Sequence, residues 1–184
     1  MITVFLATGF EEIEAIAPID IMRRAGLDVH TVSIEDSLMV NGTHGIPVQA
    51  DLMLKQVDFS KVDLMVLPGG LPGATNLDKC TALRDALSQH ARQGKAIAAI
   101  CAAPMVLGHL GILKNRKATC YPGVEHELEG AHCTGNLVEV DGNIITGKGP
   151  AAAFEFGYAI VELLKSPEAS LPLRDGMIYS QLIS

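Results

Sequence analysis

The stretch AAICAAPMV, residues 98–106, decides the fold. Strand-type residues KAIAAI (95–100) run up to Cys101, and helical spacing follows from Ala102 to Leu110. Pro104 falls in the first helical turn, where a residue needs no hydrogen-bonded N–H. A turn that sharp crowds the positions two before and two after its apex, and Ala99 and Ala103 occupy them. The pattern predicts a nucleophile elbow with Cys101 at the C-terminal edge of a mostly parallel sheet, where open α/β folds place their ligands. The first amides of the next helix would aim at the sulfur and favour thiolate over thiol. The competing reading is a small, buried and inert cysteine.

On either side of this stretch, β-rich runs alternate with helical-period segments, which predicts a three-layer α/β sandwich. ITVFLAT (2–8) reads as the first strand. Thr8 and Glu11 form a capping box for a helix on which Ile13, Ile16, Ala17, Asp20 and Ile21 recur up to Gly26, and which carries Glu14. LDVHTVSIE (27–35) reads as the second strand. MVNGTHGIPVQAD (39–51) reads as a hairpin turning at Asn41-Gly42, with His44 at its tip. DLMVLPGG, from Asp63, is a buried strand entering a glycine loop, and a helix follows from about Lys79 to Gln93. KATCYP (117–122) reads as a short strand, NLVEVDGNIIT (136–146) as a hairpin turning at Asp141-Gly142, and Ala151 to Leu164 as an apolar helix. The tail from Ser166 is less regular. No repeat or linker divides residues 1–184, so one domain is expected.

Composition narrows the function. A net charge of -7 with 4% aromatic residues excludes a nucleic-acid surface, which needs clustered cations and stacking platforms. The apolar run from Ala96 to Leu113 contains Pro104, Gly108, His109 and Gly111, so it is not a membrane span. MITVFLATGFEE has no basic n-region, and a cytoplasmic protein is expected. Cys80, Cys101, Cys120 and Cys133 form no C-x-x-C and are expected as free thiols; the Asn41-Gly42-Thr43 sequon is discounted in a chain that is not secreted. Residues 142–149 fall short of a P-loop because Gly149 stands where Ser or Thr is required, and Pro150 disfavours GKGPAA as a dinucleotide loop. His126, Glu127 and His132 lack zincin spacing. No metal and no cofactor is expected.

Two further groups bear on Cys101. LPGGLPG (67–73) ends another strand, and the Gly70 and Ala102 amides can form an oxyanion hole; an ordinary strand-to-helix turn is the alternative. Glu14 raises a question of sign, because an ionised carboxylate beside a thiolate raises both pKa values. It assists only when burial keeps it protonated, able to donate a hydrogen bond or move a proton.

Four segments, GFEEIEAIAPIDIMRRAG (9–26), VLPGG (66–70), AAICAAP (98–104) and TGKGPAAAFEFGYAIVELL (146–164), resemble the DJ-1/ThiJ/PfpI superfamily in order and spacing. The resemblance is to its Parkinsonism-associated deglycase branch and the bacterial relatives of that branch. It implies a flavodoxin-like fold related to class I glutamine amidotransferases, with Cys101 as reactive nucleophile, Glu14 as its protonated partner and Gly70 and Ala102 as oxyanion donors. It also implies a homodimer joined near the site by the first helix and the hairpin. Asp20 and Arg24 match polar residues there, and His44 stands where relatives carry arginine. Tyr121 stands where some relatives have a histidine, and Ala102 replaces the histidine that follows the cysteine in the protease-like branch. A Cys-His peptidase dyad would therefore need His126 or His132 to fold back. The implied activity is of the glyoxalase or deglycase type, on small aldehydes or glycated substrates. The alternative is an oxidative-stress sensor or chaperone working through a Cys101 sulfinate. Nothing in the sequence supports the thiazole-biosynthesis label that some relatives carry.

Overall fold

The computed structural model describes residues 1–182. In chain order its first half contains β1 (Ile2–Leu6), α1 (Glu12–Arg24), β2 (Val29–Ser33), β3 (Met39–Asn41), β4 (Pro47–Gln49), β5 (Leu52–Met53), β6 (Leu64–Leu67), α2 (Gly73–Lys79) and α3 (Thr81–Arg92). The second half contains β7 (Ala96–Ile100), α4 (Pro104–His109), β8 (Lys117–Ala118), β9 (His132–Cys133), β10 (Val138–Asp141), β11 (Ile144–Gly147), α5 (Ala153–Leu164) and α6 (Leu171–Gly176). Seven strands form the main sheet in the order β10-β11-β7-β6-β1-β2-β5. Every neighbour pair is parallel except β10 with β11.

The central strands are apolar throughout because helices cover both faces. Side chains alternate across the pleat. Ile2, Val4 and Leu6 of β1, with Val66, Ala98 and Ile100, meet Ile19, Met22, Phe156 and Ile160 of α1 and α5. Phe5 and Ala7, with Met65, Leu67, Ile97 and Ala99, meet Leu77, Leu83, Leu87 and Val106 of α2, α3 and α4. This is the α/β sandwich that the alternation of elements predicts. α1 and α5 lie close because Gly157 leaves room: a Cβ there would stand 2.9 Å from Ile21 Cδ1 and 3.1 Å from Pro18 Cα.

Several local expectations change. Thr8 does not cap α1. Glu11 does, accepting the Glu14 amide at 2.8 Å, while the Thr8 amide is held by Glu35. Ile13 and Ile16 do not face the core; they are 52% and 43% exposed, and α1 instead buries Glu12, Glu14, Ala15, Pro18, Ile19, Ile21 and Met22. The β3–β4 hairpin exists, but its loop is Gly42–Ile46 rather than a two-residue turn, with Gly45 at φ +79°. The start of α1 captures that loop: Glu12 accepts the His44 amide, and Phe10 O accepts Thr43 N at 2.8 Å. The helix expected from about Lys79 to Gln93 is α3, and a short helix that the sequence reading did not separate from the glycine loop, α2, precedes it across extended Cys80. KATCYP shrinks to β8, which pairs with β9 outside the main sheet. The tail from Pro167 is mostly short helix, α6 included. No helix among the described residues is long and apolar enough to cross a membrane.

Candidate functional site

Cys101 follows β7 directly and has φ +65°, a left-handed conformation that costs a non-glycine residue about 1 kcal/mol or more. Its neighbours hold it there. The Cys101 amide donates to Gly147 O at 2.8 Å, its carbonyl accepts the Tyr121 amide at 2.8 Å, and the Ala103 amide closes the turn onto Ile100 O at 3.0 Å. Ala99 and Ala103 are completely buried, as the crowding of an elbow requires. The thiol is 9% exposed, at the floor of the sheet edge.

α1 carries Glu14 to this point, 1% exposed. Glu14 Oε2 accepts the Gly69 amide at 2.9 Å, and buried Oε1 makes no hydrogen bond of full geometry. Gly69 is indispensable to this approach, since a Cβ there would stand 2.6 Å from Glu14 Oε2 and 2.7 Å from Cys101 Cβ. The sequence reading placed the glycine loop here and assigned Gly70, not Gly69. The signal for Gly69 is the doubled glycine at the strand end, but its need comes from a carboxylate 55 positions away. Gly70, at φ +86°, brings its amide to the sulfur together with that of Ala102.

The electrostatics correct one expectation. The Gly70 and Ala102 amides do favour thiolate, but burial first, then the charge and hydrogen bonding of Glu14, outweigh them and push the Cys101 thiol up to about 12. Burial, reinforced by the charge of Glu11, raises Glu14 to about 7 against the opposing hydrogen bonds of Cys101 and Gly69. The two groups titrate as a pair. With the proton on Glu14, the repulsion vanishes and the carboxyl can donate toward the sulfur. The raised Glu14 is the direction that makes the site intelligible, because it supplies a neutral acid beside the nucleophile near neutral pH.

The other predicted residues distribute as follows. Tyr121 is half-exposed and touches the site through its backbone; its ring lies over Gly149, lining an apolar cavity of about 230 Å³ with Pro122, Leu137 and Pro150. Asp20 and Arg24 pair with each other at 2.6 Å on the exposed side of α1, away from the thiol. His44 Nδ1 lies 2.8 Å from Glu12 Oε2. Neither His126 nor His132 folds back: His126 pairs with Glu127 at 3.1 Å, and His132 is exposed on β9. A grouping that spacing could not reveal is Glu11, Glu12 and His44, each with one ligand-type atom within 4.8 Å of the others. Its carboxylates already serve the amides of Glu14, His44 and Ile46, which gives the cluster a structural use.

Comparison with known proteins identifies the family and the fold. The family model described as the DJ-1/PfpI family matches residues 1–163. Protein DJ-1 homolog B of Arabidopsis thaliana is 40% identical over 174 residues, which make up 91% of this chain and 40% of that protein; the chain thus spans less than half of that plant relative. The glutathione-independent glyoxalase DJR-1.2 of Caenorhabditis elegans is 37% identical over 162 residues, 86% of this chain and 84% of that one. Among solved structures, oxidized DJ-1 of Toxoplasma gondii superposes with a TM-score of 0.90 at 36% identity, covering 96% of this chain and 97% of that one.

Proposed function

The chain belongs to the DJ-1/PfpI family, and on that premise we propose that it is a cysteine-dependent stress-response enzyme that converts reactive 2-oxoaldehydes to 2-hydroxy acids. The observation that carries this reading is the buried Glu14 carboxyl with one oxygen free, set beside a thiol that two backbone amides address. In the pair holding one proton, that proton passes from the Cys101 thiol to Glu14 as Sγ bonds to the aldehyde carbon; the carbonyl electron pair moves to oxygen, which the Gly70 and Ala102 amides stabilise and Glu14 protonates. Glu14, now a carboxylate, removes the proton from the hemithioacetal carbon. That proton returns to the neighbouring carbon while the hydroxyl proton moves from the former aldehyde oxygen to the neighbouring oxygen, leaving a thioester without external oxidant or reductant. Water then cleaves the C–S bond, the proton goes back to sulfur, and the hydroxy acid leaves. A thiol only 9% exposed suits a small aldehyde, or a glycated group that projects from its carrier, better than a folded polypeptide. No histidine stands in for a peptidase base.

Purified protein given methylglyoxal is expected to form lactate, and Cys101→Ser and Glu14→Gln, each folded by circular dichroism, are expected to abolish it. Undiminished turnover in either variant would sink the mechanism. A second reading, a redox sensor, draws on the same Oε1: two molecules of hydrogen peroxide, each giving one oxygen to Cys101 and leaving as water, make a sulfinate whose oxygens a neutral Glu14 and the two amides would bind. In that case mild peroxide oxidises Cys101 alone, while Cys80, Cys120 and Cys133 stay reduced. Uniform oxidation of all four argues against it. We place the protein in the cytoplasm as a homodimer, without cofactor, on the same reading.

A further inference from the structure

Beyond the elbow, His109, the last residue of α4, is held through both ring nitrogens. Its Nδ1 lies 2.9 Å from Asp78 Oδ2 on α2, and its Nε2 lies 2.8 Å from Glu127 Oε2 in the turn before β9. Ionised carboxylates only accept, so both ring nitrogens must carry hydrogen and the ring must be an imidazolium. The outer carboxylate oxygens have partners of their own, Asp78 Oδ1 the guanidinium of Arg84 on α3 and Glu127 Oε1 the His126 ring, 3.1 Å away. These are the charged groups that face His109.

Each partner ends an arm that begins at the proposed site. α4 runs from the Cys101 turn to His109. Gly70 O accepts the Ala74 amide at 2.8 Å and so opens α2, which reaches Asp78. The third arm is a string of hydrogen bonds: Tyr121 N to Cys101 O at 2.8 Å, Val124 N to Tyr121 O at 3.1 Å, and Glu127 N to Val124 O at 3.0 Å. The first and third arms pack backbone to backbone because residue 108 is glycine; a Cβ there would overlap Glu127 O and stand 2.8 Å from Leu128 Cα.

We propose that His109 is a positioning residue: its imidazolium closes these three arms on one another and thereby fixes the Gly70 and Ala102 amides against the Cys101 sulfur. The proposal rests on the reading of Cys101 as the reacting group. Loss of one ring proton leaves one carboxylate facing a lone pair, and that arm comes free. The hydrogen bonds to Glu127 and then Asp78 raise the His109 pKa against the opposing effect of burial, so the clamp is closed at low pH, outlasts the protonation of a free imidazole, and opens as pH rises through the raised value.

The test is the rate of iodoacetamide alkylation at Cys101, localised by mass spectrometry, from about pH 5.5 to about pH 9. It compares wild type with His109→Gln and His109→Lys. Weakening one amide contact to a charged sulfur slows His109→Gln about tenfold at pH 6.5. The wild-type profile carries the Glu14–Cys101 titration and, on top of it, a second bend as His109 titrates, whereas His109→Lys keeps the wild-type rate at low pH and shows only the Glu14–Cys101 titration. Equal rates and profiles for wild type and His109→Gln would overturn the proposal. If His109→Gln does not fold, the difference between the wild-type and His109→Lys profiles decides the matter alone: a component that lysine removes supports the proposal, and superimposable profiles overturn it. Alkylation does not involve an aldehyde, so a wild-type protein that makes no lactate would remove the proposed function while leaving this test intact.

Discussion

Glu14 is where a single residue governs both stability and chemistry. It keeps its proton to about pH 7 in the folded chain, against 4.5 when exposed. Between those values the folded state binds one proton more than the unfolded state, so this contribution to stability is fully present below 4.5 and declines as pH rises. Above about pH 7 it has cost roughly 3 kcal/mol. Glu14→Gln keeps an acceptor for the Gly69 amide without an ionisable group. Urea unfolding at about pH 5 and about pH 8 should therefore show wild type losing roughly 2–3 kcal/mol relative to Glu14→Gln at the higher pH. A constant difference would mean that Glu14 is ionised throughout and no neutral acid stands beside the thiol. At this scale the sequence was informative about Cys101, because small residues at 99 and 103 and Pro104 at 104 are local requirements of the turn. It was silent about Gly69, whose requirement is set by a carboxylate arriving from another element, and it misjudged the thiol, because burial depends on packing that no spacing records.

Among the elements, α1 shows why periodicity located a helix but chose the wrong face. The helix is apolar on two sides: Ala15, Pro18, Ile19 and Met22 meet the core, while Ile13 and Ile16 face outward. Its buried face also contains Glu12 and Glu14, so polarity is a poor guide to direction here. Pro18 removes the donor for the Glu14 carbonyl and further blurs the helical signature. Exposed isoleucines on α1, with Met39 and Ile46 exposed on the β3–β4 hairpin, form the surface expected to meet a second copy. Ile13→Asp and Ile16→Asp are predicted to weaken self-association by about a hundredfold or more with little change in melting temperature, read by sedimentation velocity. A wild-type chain that sediments as a monomer at tens of micromolar would contradict the dimer.

At the scale of the whole molecule, the layered and mostly parallel architecture follows from alternation of strand and helix, whereas the tail after Ser166 was read only as less regular. Its elements are too short to establish a period, and its attachment depends on residues spread along α5. Glu155, Tyr158 and Glu162 share one face of that helix. Arg174 of α6 forks onto Glu155 at 2.7 and 2.8 Å, reaches Glu162 at 3.5 Å, and lies 4.3 Å from the Tyr158 ring centre and 5.6 Å from that of Tyr179. With its side chain 15% exposed, this is a partly desolvated, planar pairing rather than a surface ion pair. α5 in turn packs on α1, which carries Glu14, so the tail braces the layer behind the site without touching the thiol. Arg174→Ala removes the fork and leaves Glu155 half-buried without its cation, a loss of about 2 kcal/mol. In a chain of this length that lowers the melting temperature by about 6 °C. Because the elbow is held from β7, β11 and the Tyr121 segment, the alkylation rate of Cys101 well below the melt should remain at the wild-type value. A matching fall in Cys101 reactivity would mean that α5 and α1 transmit the tail's position to Glu14, and that the layer behind the sheet belongs to the working site.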